Sequence, residues 1–116
     1  MSRTRSELAT SVLRDMGVLD ASETPSADDA TFVKAAYDDK YEEWRDEDLV
    51  YWLSDEIPNA VFLPIRDLIV NEVKGAFGQP TPSVAEKMAV EEALKSRLRR
   101  HVARSSTGHR IKAEYF

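Results

Sequence analysis

The sequence predicts an all-α fold: a small four-helix bundle with an extended C-terminal arm and a possible short strand pair near residues 49–53. Three observations predict it. Four stretches carry apolar residues at helical spacing, and glycine, proline or capping residues set them apart. There is no cysteine, so neither a disulfide framework nor thiolate chemistry is available. At 116 residues, 42% hydrophobic and 32% charged, the chain suits one modest core beneath highly charged helix faces. This divides it into a helical domain over residues 1–104 and an arm over 105–116.

The first helix starts at Thr4. "TRSE" has the capping-box form, with Thr4 as cap and Glu7 reaching back. Leu8, Val12, Leu13 and Met16 recur on one face, and Gly17 supplies the left-handed residue that ends it. Val18 and Leu19 are expected to tuck back into the core. Pro25 disfavours helix at Thr24, so Ser26 caps a second helix over 27–45, with Asp28 and Asp29 in its favoured first turn. Ala30, Val33, Tyr37, Tyr41 and Trp44 form its inward stripe; Asp38, Asp39, Glu42 and Glu43 form its outward one.

"LVYWL", Leu49 to Leu53, is short and rich in strand formers, and reads as extended. The third helical region follows, with Pro58 in its first turn and a kink or restart at Pro64, which lacks an N–H. Phe62, Ile65, Leu68, Ile69, Val73 and Phe77 face inward, and Gly75 and Gly78 finish it. After the "QPTPS" linker, "SVAE" is a second capping box. It opens a fourth helix over 84–104 whose apolar positions are Val84, Met88, Val90, Leu94, Leu98 and Val102.

Charge is polarised along the chain. Thirteen acids stand between Asp20 and Glu56 against Lys34, Lys40 and Arg45, whereas Lys95 to Phe116 holds seven bases against Glu114 alone. Such polarity suits a head-to-tail contact between copies or an oppositely charged partner. Nothing in the spacing asks for catalysis. His101 and His109 sit among arginines, and no His–Glu pairing has zinc-ligand spacing. "DDKYEEWRDED" lacks the glycine of a calcium loop. No metal, no cofactor and no enzymatic activity are expected. A small hydrolase using acids near Asp46 and Asp48 is the enzymatic alternative. Arg97, Arg100 and Arg104 share a helix face that could contact phosphates, although the pI of about 5.0 and the absence of helix-turn-helix spacing weigh against sequence-specific DNA reading. No apolar run suits a signal peptide or a membrane span, so the expectation is a soluble protein of the cytoplasm with no membrane partner.

Two stretches read together carry a resemblance. "MGVLDASETPSADDATFVKAAYDDKYEEW" and "IPNAVFLPIRDLIVNEVKGAFG", with the terminal "RIKAEYF", resemble the head–tail connector, or adaptor, proteins of tailed bacteriophages and gene transfer agents, and most of all the tail accessory factor branch of short-tailed phages. The likeness runs over residues 7–116, with Ser22 where a glycine is common. It implies a structural protein of the virion neck, assembled in the bacterial cytoplasm. In that family a ring, usually of twelve copies, sits under the portal, extends the DNA channel and offers a platform for tail or nozzle proteins. DNA passes through without sequence-specific contact. The alternatives are a nucleic-acid-binding helical module of a packaging complex and a stopper or tail-completion protein.

On this reading the arm docks on the portal. "HRIKAEYF" alternates polar and apolar, as a strand added to a partner's sheet edge or an arm laid in a groove would. The expected portal-binding residues are Arg97, Arg100, His101, Arg104, His109, Arg110, Ile111, Lys112, Tyr115 and Phe116. Asp38, Asp39, Glu42 and Glu43 are expected to meet a neighbouring copy or to line the channel.

Overall fold

The computed structural model describes the chain from residue 2 to residue 114, and its side chains to residue 103. Among the described residues four helices follow in order: α1 over Arg5–Asp15, α2 over Ala27–Asp46, α3 over Asn59–Val73 and α4 over Val84–Glu114. A 3-10 turn over Lys74–Phe77 extends α3, and two-residue strands, β1 (Ser2–Arg3) and β2 (Ile57–Pro58), pair antiparallel at one end.

Local chemistry accounts for the boundaries. At α1 the Thr4 side chain accepts from the Glu7 N–H while the Glu7 carboxylate accepts from the Thr4 N–H, a complete capping box. Gly17, at φ 76°, turns the chain out of α1 and lets the Val18 N–H reach the Leu13 carbonyl. Ser26 and Ser83 cap α2 and α4 by accepting from Asp29 and Glu86. Asp48 takes the left-handed conformation beyond α2, at φ 59°, a role short polar side chains tolerate. Pro58 stands at the N-cap of α3, one residue earlier than a first-turn position, and Pro64 lies inside a helix that does not restart.

One core joins α1, α2 and α3. Leu8, Val12 and Leu13 meet Val33, Tyr37 and Trp44 from α2 and Phe62, Ile65 and Ile69 from α3. Trp44, Tyr37 and Phe62 are the largest fully buried side chains, each contributing about 2–3 kcal/mol of burial. Leu94 and Leu98 bring α4 against this core, chiefly along α3.

Three expectations are corrected. Residues 49–53 form no strand: Leu49 and Trp52 turn into the core, and tyrosine hydroxyls, not a ladder, take the Trp52 carbonyl and that of Ser54 just beyond. The strand pair lies instead at Ser2–Arg3 and Ile57–Pro58. Val84 and Met88 are 73% and 67% exposed rather than inward. Met88 stands about 120° around the helix from Leu94, so a stripe centred on Leu94 and Leu98 excludes it. Finally, the α4 backbone stays helical to Glu114, where an extended arm was expected from residue 105. Once a helix is nucleated each further residue adds one hydrogen bond, and "RSST" holds no proline to stop it.

Candidate interaction surfaces

The acidic stripe of α2 is re-sorted by packing. Asp38 does not face outward: both its oxygens accept from Arg5 Nη1, at 2.8 and 2.7 Å. That bond, with the field of Asp55 helping, raises the Arg5 pKa although partial burial opposes it. Arg5 also donates its backbone N–H to Asp55, at 2.9 Å, so one residue fastens α1 to α2 and to the loop before β2. Glu43 lies 3.7 Å from Lys40. The open outer face is Asp39, Glu42 and Asp46, at i, i+3 and i+7. Among the described residues Asp39 and Asp46 make no ion pair, and Glu42 has only the exposed Arg45 at 3.8 Å.

Between α2 and α4 lies an ion cluster. Lys40 Nζ is 2.9 Å from Glu91 and 3.9 Å from Glu72, and Lys95 Nζ bridges Glu91 and Glu47 at 3.4 and 3.1 Å. Burial raises the Glu91 pKa, but its hydrogen bonds to Lys40 and Lys95 outweigh that and hold it below the usual carboxylate value. Burial likewise lowers the lysines, and their carboxylate partners more than compensate, leaving both raised. The cluster holds α4 to α2, where Leu94 and Leu98 are its only fully buried side chains among the described residues.

At the upper end, the α2 tyrosines pin the 49–56 loop. Tyr37 Oη donates to the Ser54 carbonyl at 2.9 Å and accepts from Trp52 Nε1 at 3.0 Å; Tyr41 Oη donates to the Trp52 carbonyl at 2.7 Å. Burial pushes the Tyr37 hydroxyl pKa far up, so it stays a donor at any pH the fold meets. The loop presents Val50, Tyr51 and a largely exposed Leu53 around an open cleft of about 470 Å³, and Tyr51 stacks on His101 of α4, centroids 5.6 Å apart.

Of the expected portal-binding residues, Arg97 is exposed and donates to the Ala60 carbonyl of α3, at 3.4 Å, and Arg100 is exposed and makes no ion pair among the described residues. His101 is half-buried against Tyr51. The side chains of Arg104, His109, Arg110, Ile111 and Lys112, and the whole of Tyr115 and Phe116, lie outside the described residues. Sequence reasoning missed the Tyr51–Leu53 lip: all five residues of "LVYWL" are apolar, so nothing in it separates the buried Leu49 and Trp52 from the outer three.

A third surface runs along α1. An open trough of about 590 Å³ is lined by the Ser6, Thr10 and Ser11 hydroxyls and the Arg3, Arg14 and Arg66 guanidiniums, with Glu7 and Asp15 at its edge. Arg3 sits 3.8 Å over the Phe62 ring and pairs with Glu7; Arg66 lies 3.0 Å from Asp67 and 3.6 Å from Asp15.

Among the described residues no three His, Asp or Glu side chains are placed to hold a metal ion, and no helix is long and apolar enough to cross a membrane. Comparison with protein-family models, curated proteins and solved structures finds no match to this chain.

Proposed function

We propose that this chain is a structural head–tail connector of a phage-like particle, a non-enzymatic subunit that binds the portal ring, meets copies of itself and carries the tail or nozzle. The resemblance of "MGVLDASETPSADDA", "IPNAVFLPIRD" and "RIKAEYF" supports it, and the virion neck is the place that role implies. The observation that carries the physical side of the reading is α4. Its described side chains dock it through two leucines and an ion cluster, and its backbone continues from the Tyr51–His101 stack to Glu114. That continuation bears Arg104, Arg110 and Lys112 with Ile111, a basic and apolar mix suited to a partner surface. Tyr51 and Leu53 beside His101 would extend the contact onto the domain.

The test is capture of portal rings, made from the portal protein encoded in the same genome, by the full chain and by a chain lacking residues 108–116. Loss of capture is expected, with the domain's thermal unfolding unchanged and helicity reduced only by the residues removed from the end of α4. Equal capture by the two chains would overturn the portal-docking role. Tight, salt-sensitive binding of duplex DNA by the isolated chain would favour the packaging-module alternative instead.

A further inference from the structure

We propose that the α1 trough is the receiving surface for a second copy of this chain, and that its occupant is the acidic outer face of the neighbour's α2. The inference rests on the connector reading, which requires a self-contact, and adds which two surfaces make it.

Charge and shape argue for the pairing. The trough sets three guanidiniums against two carboxylates, and Arg14 among them has no carboxylate partner among the described residues; its polar contact is the Glu23 carbonyl at 3.4 Å. Its floor is made of short hydroxyl side chains, Ser6, Thr10 and Ser11, so another helix can approach closely and find donors. Across the molecule, Asp39 and Asp46 are carboxylates without ion partners among the described residues, spaced two turns apart with Glu42 between them. The unneutralised Arg14 on α1 and the unneutralised carboxylates on α2 are complementary.

The two faces cannot satisfy each other within one chain. α1 and α2 pack through Leu8, Val12, Val33 and Tyr37, which turns the trough and the acidic stripe away from the shared core. They can meet only between copies. Because donor and acceptor faces are different patches, each copy would still offer a free trough and a free acidic stripe. Such a contact is heterologous, the kind that builds a ring when its rotation closes. Nucleic acid is the poorer occupant: Glu7 and Asp15 edge the trough, and the chain carries a net charge of −5.

A charge swap tests it. Sedimentation of the full chain at low salt should show self-association that grows with concentration and weakens with added salt. Arg14→Glu alone, and Asp39→Lys with Asp46→Lys alone, should each weaken it at least tenfold, since each then sets like charges together. An equimolar mixture of the two variants should restore it, because lysine then meets glutamate and aspartate still meets the unaltered arginines. That restoration also shows that both variants are folded. A wild-type chain that stays monomeric at millimolar concentration, reversals without effect, or a mixture that fails to associate would each overturn the proposal. So would loss of DNA binding, rather than of self-association, on Arg14→Glu. Portal capture run in parallel keeps the two ideas apart. A chain that captures portal rings yet never associates with itself removes this interface and leaves the connector reading standing; the reverse result removes the connector reading.

Discussion

The Arg97 guanidinium lies 3.4 Å from the Ala60 carbonyl, the acceptor that Pro64 leaves empty. In an unbroken helix the residue-64 N–H would bond to Ala60; proline has none, and its ring presses that carbonyl outward. α4 therefore supplies from outside the donor that α3 lacks. The bond is long and exposed, so Arg97→Ala should cost under about 1 kcal/mol. The informative measurement is the double-mutant cycle with Pro64→Ala, which returns the helical donor. Arg97→Ala should then cost nothing further in urea denaturation, a coupling of about 0.5 kcal/mol. Additive effects would show that the two residues do not share the carbonyl.

Tyr37 acts as acceptor and donor at once, so its hydroxyl cannot be removed cleanly. Tyr37→Phe strands both the buried Trp52 indole N–H and the part-buried Ser54 carbonyl. A loss of about 1–3 kcal/mol is expected, against about 1 kcal/mol for Tyr41→Phe, which releases only the Trp52 carbonyl. Amide exchange over residues 49–56 should quicken in both variants while that of α1 follows global stability alone. Unchanged loop protection in Tyr37→Phe would contradict the pinning role.

The Lys40–Glu91–Lys95 cluster makes the hold on α4 dependent on pH. Glu91 has a folded pKa below its ordinary value of 4.5, so its contribution is present above that value and is lost as pH falls through the folded one. Lys40 and Lys95 have folded values above 10.5, so theirs is present below 10.5 and is lost as pH rises through the folded ones. Stability should be flat between those limits and fall outside both. Glu91→Gln should cost about 1 kcal/mol at neutral pH and nearly nothing in acid, where wild type has already lost the charge. A cost that does not shrink as pH falls through the folded titration of Glu91 would mean packing, not charge, holds this part of α4.

Much of the bundle was legible because its signals are local. Thr4 with Glu7, Ser26 and Ser83 declare their helix starts within four residues, and the Val33–Tyr37–Tyr41–Trp44 stripe has helical spacing alone to explain it. What was not legible depends on distance. The two-residue strands have no period to detect, and Arg5 finds Asp38 thirty-three residues away, which removed one member of the expected acidic face. Val84 and Met88 match a helical period but stand clear of the stripe that packs, since periodicity cannot say where along a long helix its neighbours stop. Of the candidate surfaces, the acidic α2 face was legible in outline and the α1 trough was not, because Arg66 joins it from another helix.

Two glycines with different duties give a contrast that structure alone predicts. At Gly17 a Cβ would meet nothing within 4 Å, but φ of +76° strains any other residue, so Gly17→Ala should cost about 1 kcal/mol whatever its neighbours. At Gly75 the backbone is ordinary, and the obstacle is Thr81 Cγ2, 2.9 Å from the added carbon. Gly75→Ala should therefore destabilise until Thr81→Ser deletes that methyl from an exposed residue. With the clash gone, the alanine restricts the unfolded chain, and the double variant should equal or exceed wild type by up to about 1 kcal/mol. No substitution at position 81 should rescue Gly17→Ala. Thermal denaturation of wild type, the two glycine variants and each combined with Thr81→Ser checks both, and a Gly75→Ala loss that Thr81→Ser leaves untouched would place the strain in the 3-10 turn itself.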